Sequence, residues 1–288
     1  MNIPELFKMR KKEGRPVFSL EIFPPKRKKN MNSLYEAVDT LRVTEPDFIS
    51  VTYGAGGNIA DNSTCDIAAN IKKEYGIETV AHLTCINSTR EDVKVMLQRF
   101  KDTGIENVMA LRGDIVPGEV IKREFEHANE LAIEIQRKCE DDLQILGACY
   151  PEGHYECKTI EQDIQNLKYK IGAGVSVLIT QLFFNNDKFY EFIAKARENG
   201  IKVPVSAGIM PIVRSSQIEK TVQLSGASLP HSFTELIALY EHEPEALYEA
   251  GIDYAVAQCR DLIGHGAEGI HIYTMNDPKV AIRVHDGI

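Results

Sequence analysis

The sequence contains no long apolar segment. None of its apolar runs approaches the roughly 18 residues that a membrane helix requires, and residues 1–13 lack the apolar core of a signal peptide. The sequence therefore predicts a cytoplasmic protein without a membrane span.

Positive charge and paired cysteines are also scarce. The 288 residues include 33 basic and 42 acidic side chains, and the resulting net charge of −9 argues against a general nucleic-acid-binding protein. The six cysteines form no C-x-x-C pair, so we expect neither a structural metal site nor a disulfide framework. Cys85 and Cys149 fall inside predicted strands and are interpreted as small core residues.

Eight short apolar runs are present instead, and each is followed by a helix-like stretch. Strands that alternate with helices pair in parallel, because a parallel neighbour is reached only through a crossover. Eight such units predict a (β/α)8 TIM barrel that forms a single catalytic domain over residues 1–288, with no regulatory domain appended. The runs are 17–23, 48–53, 80–85, 108–111, 145–150, 177–184, 203–209 and 270–273.

The predicted helices lie between these runs. They cover residues 31–43, 64–75, 89–102, 124–138, 159–171 and 187–199, and the longer region 215–264 is expected to hold two or three more.

Alternation within the runs predicts which side chains face the barrel interior, since one parity faces the lumen and the other the helices. Polar inward groups near the strand ends can be hydrated or liganded only at the barrel mouth, where TIM barrels carry their active sites. The predicted inward residues are Ser19, Glu21, Phe23, Ser50, Thr52, His82, Thr84, Ala110, Arg112, Asp114, Ala148 and Tyr150.

Six motifs at or near these strand ends occur together in a fixed order. They are Leu20-Glu21-Ile22-Phe23-Pro24-Pro25, Ser50-Val51-Thr52-Tyr53-Gly54-Ala55, His82-Leu83-Thr84-Cys85, Ala110-Leu111-Arg112-Gly113-Asp114, Tyr150-Pro151-Glu152-Gly153-His154 and Thr180-Gln181-Leu182-Phe183-Phe184. In this order and spacing the chain closely resembles the 5,10-methylenetetrahydrofolate reductase family in its short bacterial form. The likeness runs from about Val17 to Tyr273.

The resemblance implies a flavoenzyme with FAD that reduces 5,10-methylenetetrahydrofolate to 5-methyltetrahydrofolate, with NADH or NADPH as electron donor, and an assembly of identical chains. Glu21 matches the family's general acid, and Asp114 matches its carboxylate between flavin and pterin. Gln181 and Gln217 match folate contacts. The residues that match flavin contacts are Thr52, His82, Arg112, Gly113, Tyr150, His154, Asp163, Asn166 and Lys170.

The two carboxyl groups would need opposite protonation states for this chemistry. Glu21 would protonate the leaving nitrogen, which requires a proton near neutral pH, and burial could favour that state. Asp114 would stay ionised to stabilise the iminium cation, with Arg112, two positions before it in the sequence, favouring its charge.

Other interpretations of the same residues stay open. Glu21 and Asp114 could be the carboxylate pair of a barrel hydrolase. The chain could also be a catalytically silent subunit that binds flavin or folate in a larger electron-transfer complex. His82 is either a flavin contact or a structural histidine. The run Lys26-Arg27-Lys28-Lys29 could attract an anionic folate tail, although a solvated loop is the simpler interpretation.

Two positions depart from the family pattern. Thr221 stands where bacterial relatives have a phenylalanine that stacks on nicotinamide or folate, and Tyr169 stands where they have an arginine near the flavin. The first departure makes a partner protein a possible source of electrons.

Overall fold

The protein is an eight-stranded parallel barrel with helices around it, which confirms the TIM-barrel prediction. The computed structural model describes residues 1–25, 31–53, 63–115, 122 and 124–288. The strands follow each other around the barrel in chain order, and β8 closes it against β1. They are β1 (Val17–Ile22), β2 (Phe48–Val51), β3 (Glu78–Thr84), β4 (Asn107–Leu111), β5 (Gln144–Cys149), β6 (Val175–Thr180), β7 (Val205–Ile209) and β8 (Gly269–Tyr273).

Eleven α-helices lie within the described residues. Three of them fall between β7 and β8, as predicted. The first and last helices were not predicted: α1 precedes the barrel, and α11 follows it. The helices are α1 (Ile3–Glu13), α2 (Met31–Leu41), α3 (Ser63–Tyr75), α4 (Arg90–Thr103), α5 (Ala128–Cys139), α6 (Ile160–Gly172), α7 (Asn186–Glu198), α8 (Ser215–Ser225), α9 (His231–Tyr240), α10 (Pro244–Gly264) and α11 (Pro278–Asp286).

The α1 helix closes the end of the barrel opposite the mouth. Asn2 caps its first turn, and Ile3, Leu6 and Phe7 pack with the apolar inward residues of six strands in one buried cluster. This helix covers that end of the packed barrel interior. The strand residues of the cluster are Val17, Phe48, Val80, Met109, Leu111, Leu146, Val177 and Ile179.

The predicted inward parity is wrong for β4. Met109 and Leu111 pack in the inner cluster, whereas Val108 and Ala110 pack in the outer cluster with the surrounding helices. The predicted run 108–111 is apolar on both faces, so it contains no alternation that could identify its inward side.

The sixth predicted run is too long at its C-terminal end. The β6 strand ends at Thr180, and residues 181–184 continue without strand pairing. Phe183 and Phe184 are nevertheless buried, because each stacks on another phenylalanine, Phe189 and Phe233 respectively. An apolar run here therefore reflects burial of a loop rather than a longer strand.

None of the helices in the described residues combines the length and apolar character that crossing a membrane requires.

Candidate active site at the barrel mouth

Glu21 lies at the centre of a buried polar cluster inside the mouth. Its Oε2 is 3.2 Å from the Ser50 hydroxyl, 3.5 Å from His271 Nε2 and 3.5 Å from His82 Nε2. The other ring nitrogen of His271, Nδ1, is 2.8 Å from the Ser19 hydroxyl. The inward parity predicted for β1, β2 and β3 is thereby confirmed.

The cluster sets the protonation of Glu21. Burial acts to raise its pKa, but the hydrogen bond with His271, the charges of His82 and His271 and the Ser50 hydroxyl outweigh burial and lower it. The expectation that burial keeps Glu21 protonated is therefore wrong for this arrangement, because sequence reasoning did not include the two histidines. Burial lowers the pKa of His82, which favours its neutral form.

A cavity of about 480 Å³ opens between the ends of β4 and β5, the start of α5 and helix α6. Six of the nine residues predicted to contact flavin line it together. They are Arg112, Tyr150, His154, Asp163, Asn166 and Lys170.

Helix α6 presents the last three of these residues on one face, as their spacing predicts. Thr159 caps the helix, and Asp163 Oδ2 accepts the His154 backbone N–H at 3.1 Å. Lys170 Nζ donates to the Ala148 carbonyl at 2.9 Å. Burial raises the pKa of Asp163 and lowers that of Lys170, so both charges lie in a poorly hydrated wall.

Arg112 does not pair with Asp114, contrary to the expectation from their sequence proximity. Its guanidinium donates to Glu156 Oε2 at 2.5 Å and to the Tyr155 hydroxyl at 3.2 Å, and the hydrogen bond with Glu156 raises the pKa of Arg112. Asp114 is exposed just beyond the end of β4. The carboxylate that pairs with Arg112 is therefore Glu156, in the loop after β5, and not Asp114 as the sequence suggested.

Gly113 occupies a position that strongly favours glycine. Its φ is +89°, in the left-handed region, and a Cβ atom there would lie 3.0 Å from Thr84 Cβ. Thr52 follows β2 at the mouth, and its N–H donates to the Ile22 carbonyl at 2.9 Å. The motif residues Gly54 and Ala55 and the basic run 26–29 lie outside the described residues.

The two predicted folate residues lie in different surroundings. Gln181 follows β6, and its N–H donates to the Cys149 carbonyl at 2.8 Å. Gln217, on α8, accepts the Val213 N–H at 2.9 Å. It lines a second cleft of about 220 Å³ that also includes Tyr273 and Asn276.

The two departures from the family pattern also differ in exposure. Tyr169 is 58% exposed and lines the larger cavity. Thr221 is buried, and its hydroxyl lies 3.9 Å from Met210 Sδ.

Sequence reasoning missed two mouth residues, His271 and Tyr273. Tyr273 crosses the mouth and donates its hydroxyl to the Thr180 carbonyl at 2.7 Å, above Gly208. The signal was present in β8, where both alternate with Ile270 and Ile272, so the parity rule would have placed them inward.

Comparison with known proteins identifies the family. The sequence model of the methylenetetrahydrofolate reductase family matches residues 6–287. A 5,10-methylenetetrahydrofolate reductase of Pectobacterium carotovorum is 32% identical, over 94% of this chain and 90% of the relative. One of Buchnera aphidicola is 34% identical, over 92% of this chain and 89% of the relative.

Plant and yeast relatives are longer. The enzyme named methylenetetrahydrofolate reductase (NADH) 1 of Arabidopsis thaliana is 32% identical, over 99% of this chain but 50% of the relative. For the Schizosaccharomyces pombe methylenetetrahydrofolate reductase 1, the matched share of the relative is 44%. The chain thus spans about half the length of these relatives.

A solved structure from Clostridium thermocellum shares the fold, with a TM-score of 0.69 over 98% of this chain and 99% of that one. That protein is described as binding two copies of 5-methyl-5,6,7,8-tetrahydrofolic acid, and at 15% identity the likeness concerns the fold alone. The match over nearly the whole chain and the bacterial relatives together show that the protein belongs to the methylenetetrahydrofolate reductase family, a family of oxidoreductases.

Proposed function

We propose that this protein reduces 5,10-methylenetetrahydrofolate to 5-methyltetrahydrofolate with FAD as its cofactor and NADH or NADPH as the source of electrons. The observation that carries the proposal is the cavity at the C-terminal ends of β4 and β5, in which six residues matched to flavin contacts converge although they come from the segments that follow β4 and β5 and from α6. A reductase that acts on folate fits the family and its bacterial members.

The residues around the cavity fit a flavin nucleotide. Arg112 and Lys170 provide cationic groups for an anionic diphosphate, and Asp163 and Asn166 can bind hydroxyl groups. His82 supports the fit independently, because its buried Nε2 has no hydrogen-bond partner within the described residues. A buried polar atom of this kind favours a ligand that satisfies it.

A bound flavin supplies the hydride, and the chain's own residues prepare the folate to receive it. The methylene bridge joins two nitrogens, so one C–N bond must break to give an iminium cation before hydride can add. Glu21, whose pKa is lowered by its surroundings, would have to receive a proton and pass it to the leaving nitrogen, and acid catalysis of this type contributes about 10²- to 10⁴-fold. Asp114, exposed just beyond the end of β4, would stabilise the iminium charge.

The remaining mouth residues bind and orient. Gln181 and Gln217 would hold the pterin by its amide-like edge, and Tyr273 would form part of the apolar surface beneath it. The packed core below the mouth keeps bulk water away from the lower side of the reacting groups.

Flavin extraction is the direct test of this proposal. We expect the purified protein to be yellow and to release one noncovalent FAD per chain when it is denatured, and chromatography of the released flavin distinguishes FAD from FMN. The same preparation should convert 5,10-methylenetetrahydrofolate to the 5-methyl product when its flavin is reduced. A folded sample that takes up no flavin, or only FMN, contradicts the cofactor assignment.

The plant relatives named for NADH make that nucleotide the first donor to test. Membership of a reductase family argues against the hydrolase alternative for Glu21 and Asp114. A silent binding subunit would bind flavin yet show no reduction of its flavin by either nucleotide and no reduction of folate.

A further inference from the structure

His271 lies one inward layer below Glu21, because β8 pairs with β1 so that His271 is level with Ser19 and Tyr273 with Glu21. The imidazole is 0% exposed. Its Nδ1 lies 2.8 Å from the Ser19 hydroxyl, and its Nε2 lies 3.5 Å from both Glu21 Oε2 and the Ser50 hydroxyl. Contacts on both nitrogens fix the orientation of the ring.

These contacts suit an imidazole that carries two protons. The Ser19 hydroxyl can donate to the Ile270 carbonyl, which lies 3.4 Å from its oxygen, and then accept the Nδ1–H of His271. The Nε2–H then points to the Glu21 carboxylate. Every donor in this arrangement has an acceptor, so the proton between His271 and Glu21 can rest on either group.

The other titratable groups that face Glu21 are less suited to this exchange. His82 Nε2 is also 3.5 Å from Glu21 Oε2, but it makes no hydrogen bond within the described residues, and burial lowers the pKa of His82. The ring of Tyr273 lies edge-on to His271 at 5.3 Å. Burial raises the pKa of Tyr273, which keeps its phenol neutral.

We propose, on the basis of the function proposed above, that His271 shares one proton with Glu21 and delivers it through Glu21 to the leaving nitrogen of the folate. The Nε2–H bond of His271 breaks as a proton bond to Glu21 Oε2 forms. Glu21 then passes the proton to the nitrogen, which keeps the electron pair of the broken C–N bond. After turnover, solvent returns a proton to the pair through Glu21, whose side chain is 17% exposed. His271 touches no reacting atom and is a positioning residue that acts through Glu21.

The shared proton has a measurable consequence for the pH dependence. The last proton of the pair can sit on His271 or on Glu21. Because both of these singly protonated forms exist, the pair keeps its last proton to a higher pH than either group would alone. Glutamine at position 271 can offer an amide to Glu21 but cannot hold the proton. Its introduction should therefore move the high-pH limit of folate reduction downward.

The experiment uses the FAD-loaded protein with its flavin reduced by dithionite, so that the result does not depend on the natural electron donor. Rapid mixing with 5,10-methylenetetrahydrofolate at a series of pH values gives the rate of flavin reoxidation for the parent, His271→Gln and Ser19→Ala. Ser206→Ala is the matched control, since Ser206 is another buried serine inside the barrel and its hydroxyl makes no hydrogen bond within the described residues.

The high-pH limb is the alkaline pH range in which the rate of folate reduction falls. We expect this limb to lie about one pH unit or more lower in His271→Gln than in the parent, which is about a tenfold loss of rate at pH values above it. Ser19→Ala should shift it less in the same direction, and Ser206→Ala should match the parent. Slower rates with an unmoved limb in both variants would show a merely structural role and overturn the inference. If His271→Gln does not fold, an unmoved limb in Ser19→Ala overturns it. A parent protein that binds FAD but does not reduce the folate overturns the proposed function and this inference with it.

Discussion

Among single residues, the two carboxyl groups at the mouth differ most clearly in their surroundings. Glu21 is enclosed by Ser50 and two histidines, whereas Asp114 is exposed beyond the end of β4. Two carboxyl groups in unlike environments can divide acid and electrostatic roles between them. Each role predicts a different defect when the charge is removed.

Replacing Glu21 with glutamine should separate the two half-reactions. Reduction of the flavin needs no protonation of folate, so we expect it to be nearly unchanged, while folate reduction falls by about 10²-fold or more. Rapid mixing of each half-reaction measures both. Glu5→Gln, an exposed change on α1 at the opposite end of the barrel, is the control. Equal losses in the two half-reactions would contradict the acid role.

Asp114→Asn removes a negative charge near the proposed flavin and pterin while nearly preserving shape. The flavin should become a better electron acceptor, so its midpoint potential should rise, and folate reduction should slow because the iminium is less stabilised. Potentiometric titration of the bound flavin measures the first effect. Asp142→Asn, an exposed change before β5 at the opposite end of the barrel, should leave the potential unchanged. An unchanged potential in Asp114→Asn would place that carboxylate too far from the ring.

Among secondary-structure elements, prediction succeeded where one face of a strand differs from the other. In β1, β2 and β3, polar residues alternate with apolar ones, and their inward side was predicted correctly. In residues 108–111 of β4 both faces are apolar, so the sequence did not show which face points inward. The prediction that Ala110 points inward was therefore wrong. Helix α1 was not predicted because the sequence argument began at the first strand, although Asn2 and Pro4 are ordinary helix-start signals.

Helix α6 should contribute to cofactor binding through Lys170. We expect Lys170→Met to weaken FAD binding by about tenfold or more, because the proposed diphosphate loses a charged hydrogen-bond donor in a poorly hydrated wall. Quenching of flavin fluorescence during titration measures the dissociation constant. Lys168→Met removes the same charge from an exposed position on the same helix, so it controls for the change in net charge. Equal affinities in the two variants would remove Lys170 from the site.

The β7 strand depends on glycine at position 208. A Cβ atom there would lie 2.4 Å from the Thr180 carbonyl oxygen and 2.7 Å from Tyr273 Cε2, so Gly208→Ala must displace the tyrosine or the backbone. We expect the free energy of unfolding to fall by about 2 kcal/mol, measured by urea denaturation. Gly264→Ala, where a Cβ meets nothing within 4 Å, should change stability little. A Gly208→Ala protein as stable as the parent would show that both the Thr180 backbone and Tyr273 adjust at little cost.

At the scale of the whole molecule, the repeated alternation of strands and helices made the barrel predictable, since each unit repeats the same signal. The contacts between distant segments were not predictable in the same way. Glu156 pairs with Arg112 across 44 positions of the sequence, and His271 meets Glu21 across 250. Neither pairing can be recognised from the neighbouring sequence, because the closure of the barrel and the course of the loop after β5 bring these residues together.

The identity of the electron donor is the remaining question at this scale, and Thr221 provides its test. An aromatic face that stacks on nicotinamide contributes on the order of 1 kcal/mol beyond burial, and Thr221 is buried near Met210 without offering one. We therefore expect NADH to reduce the flavin slowly or with a high apparent Kd. Rapid mixing of NADH and NADPH with the parent and with Thr221→Phe should show faster or tighter reduction in the variant. A parent that already reacts fast and tightly, with no change in Thr221→Phe, would rule out any need for a partner protein to deliver electrons.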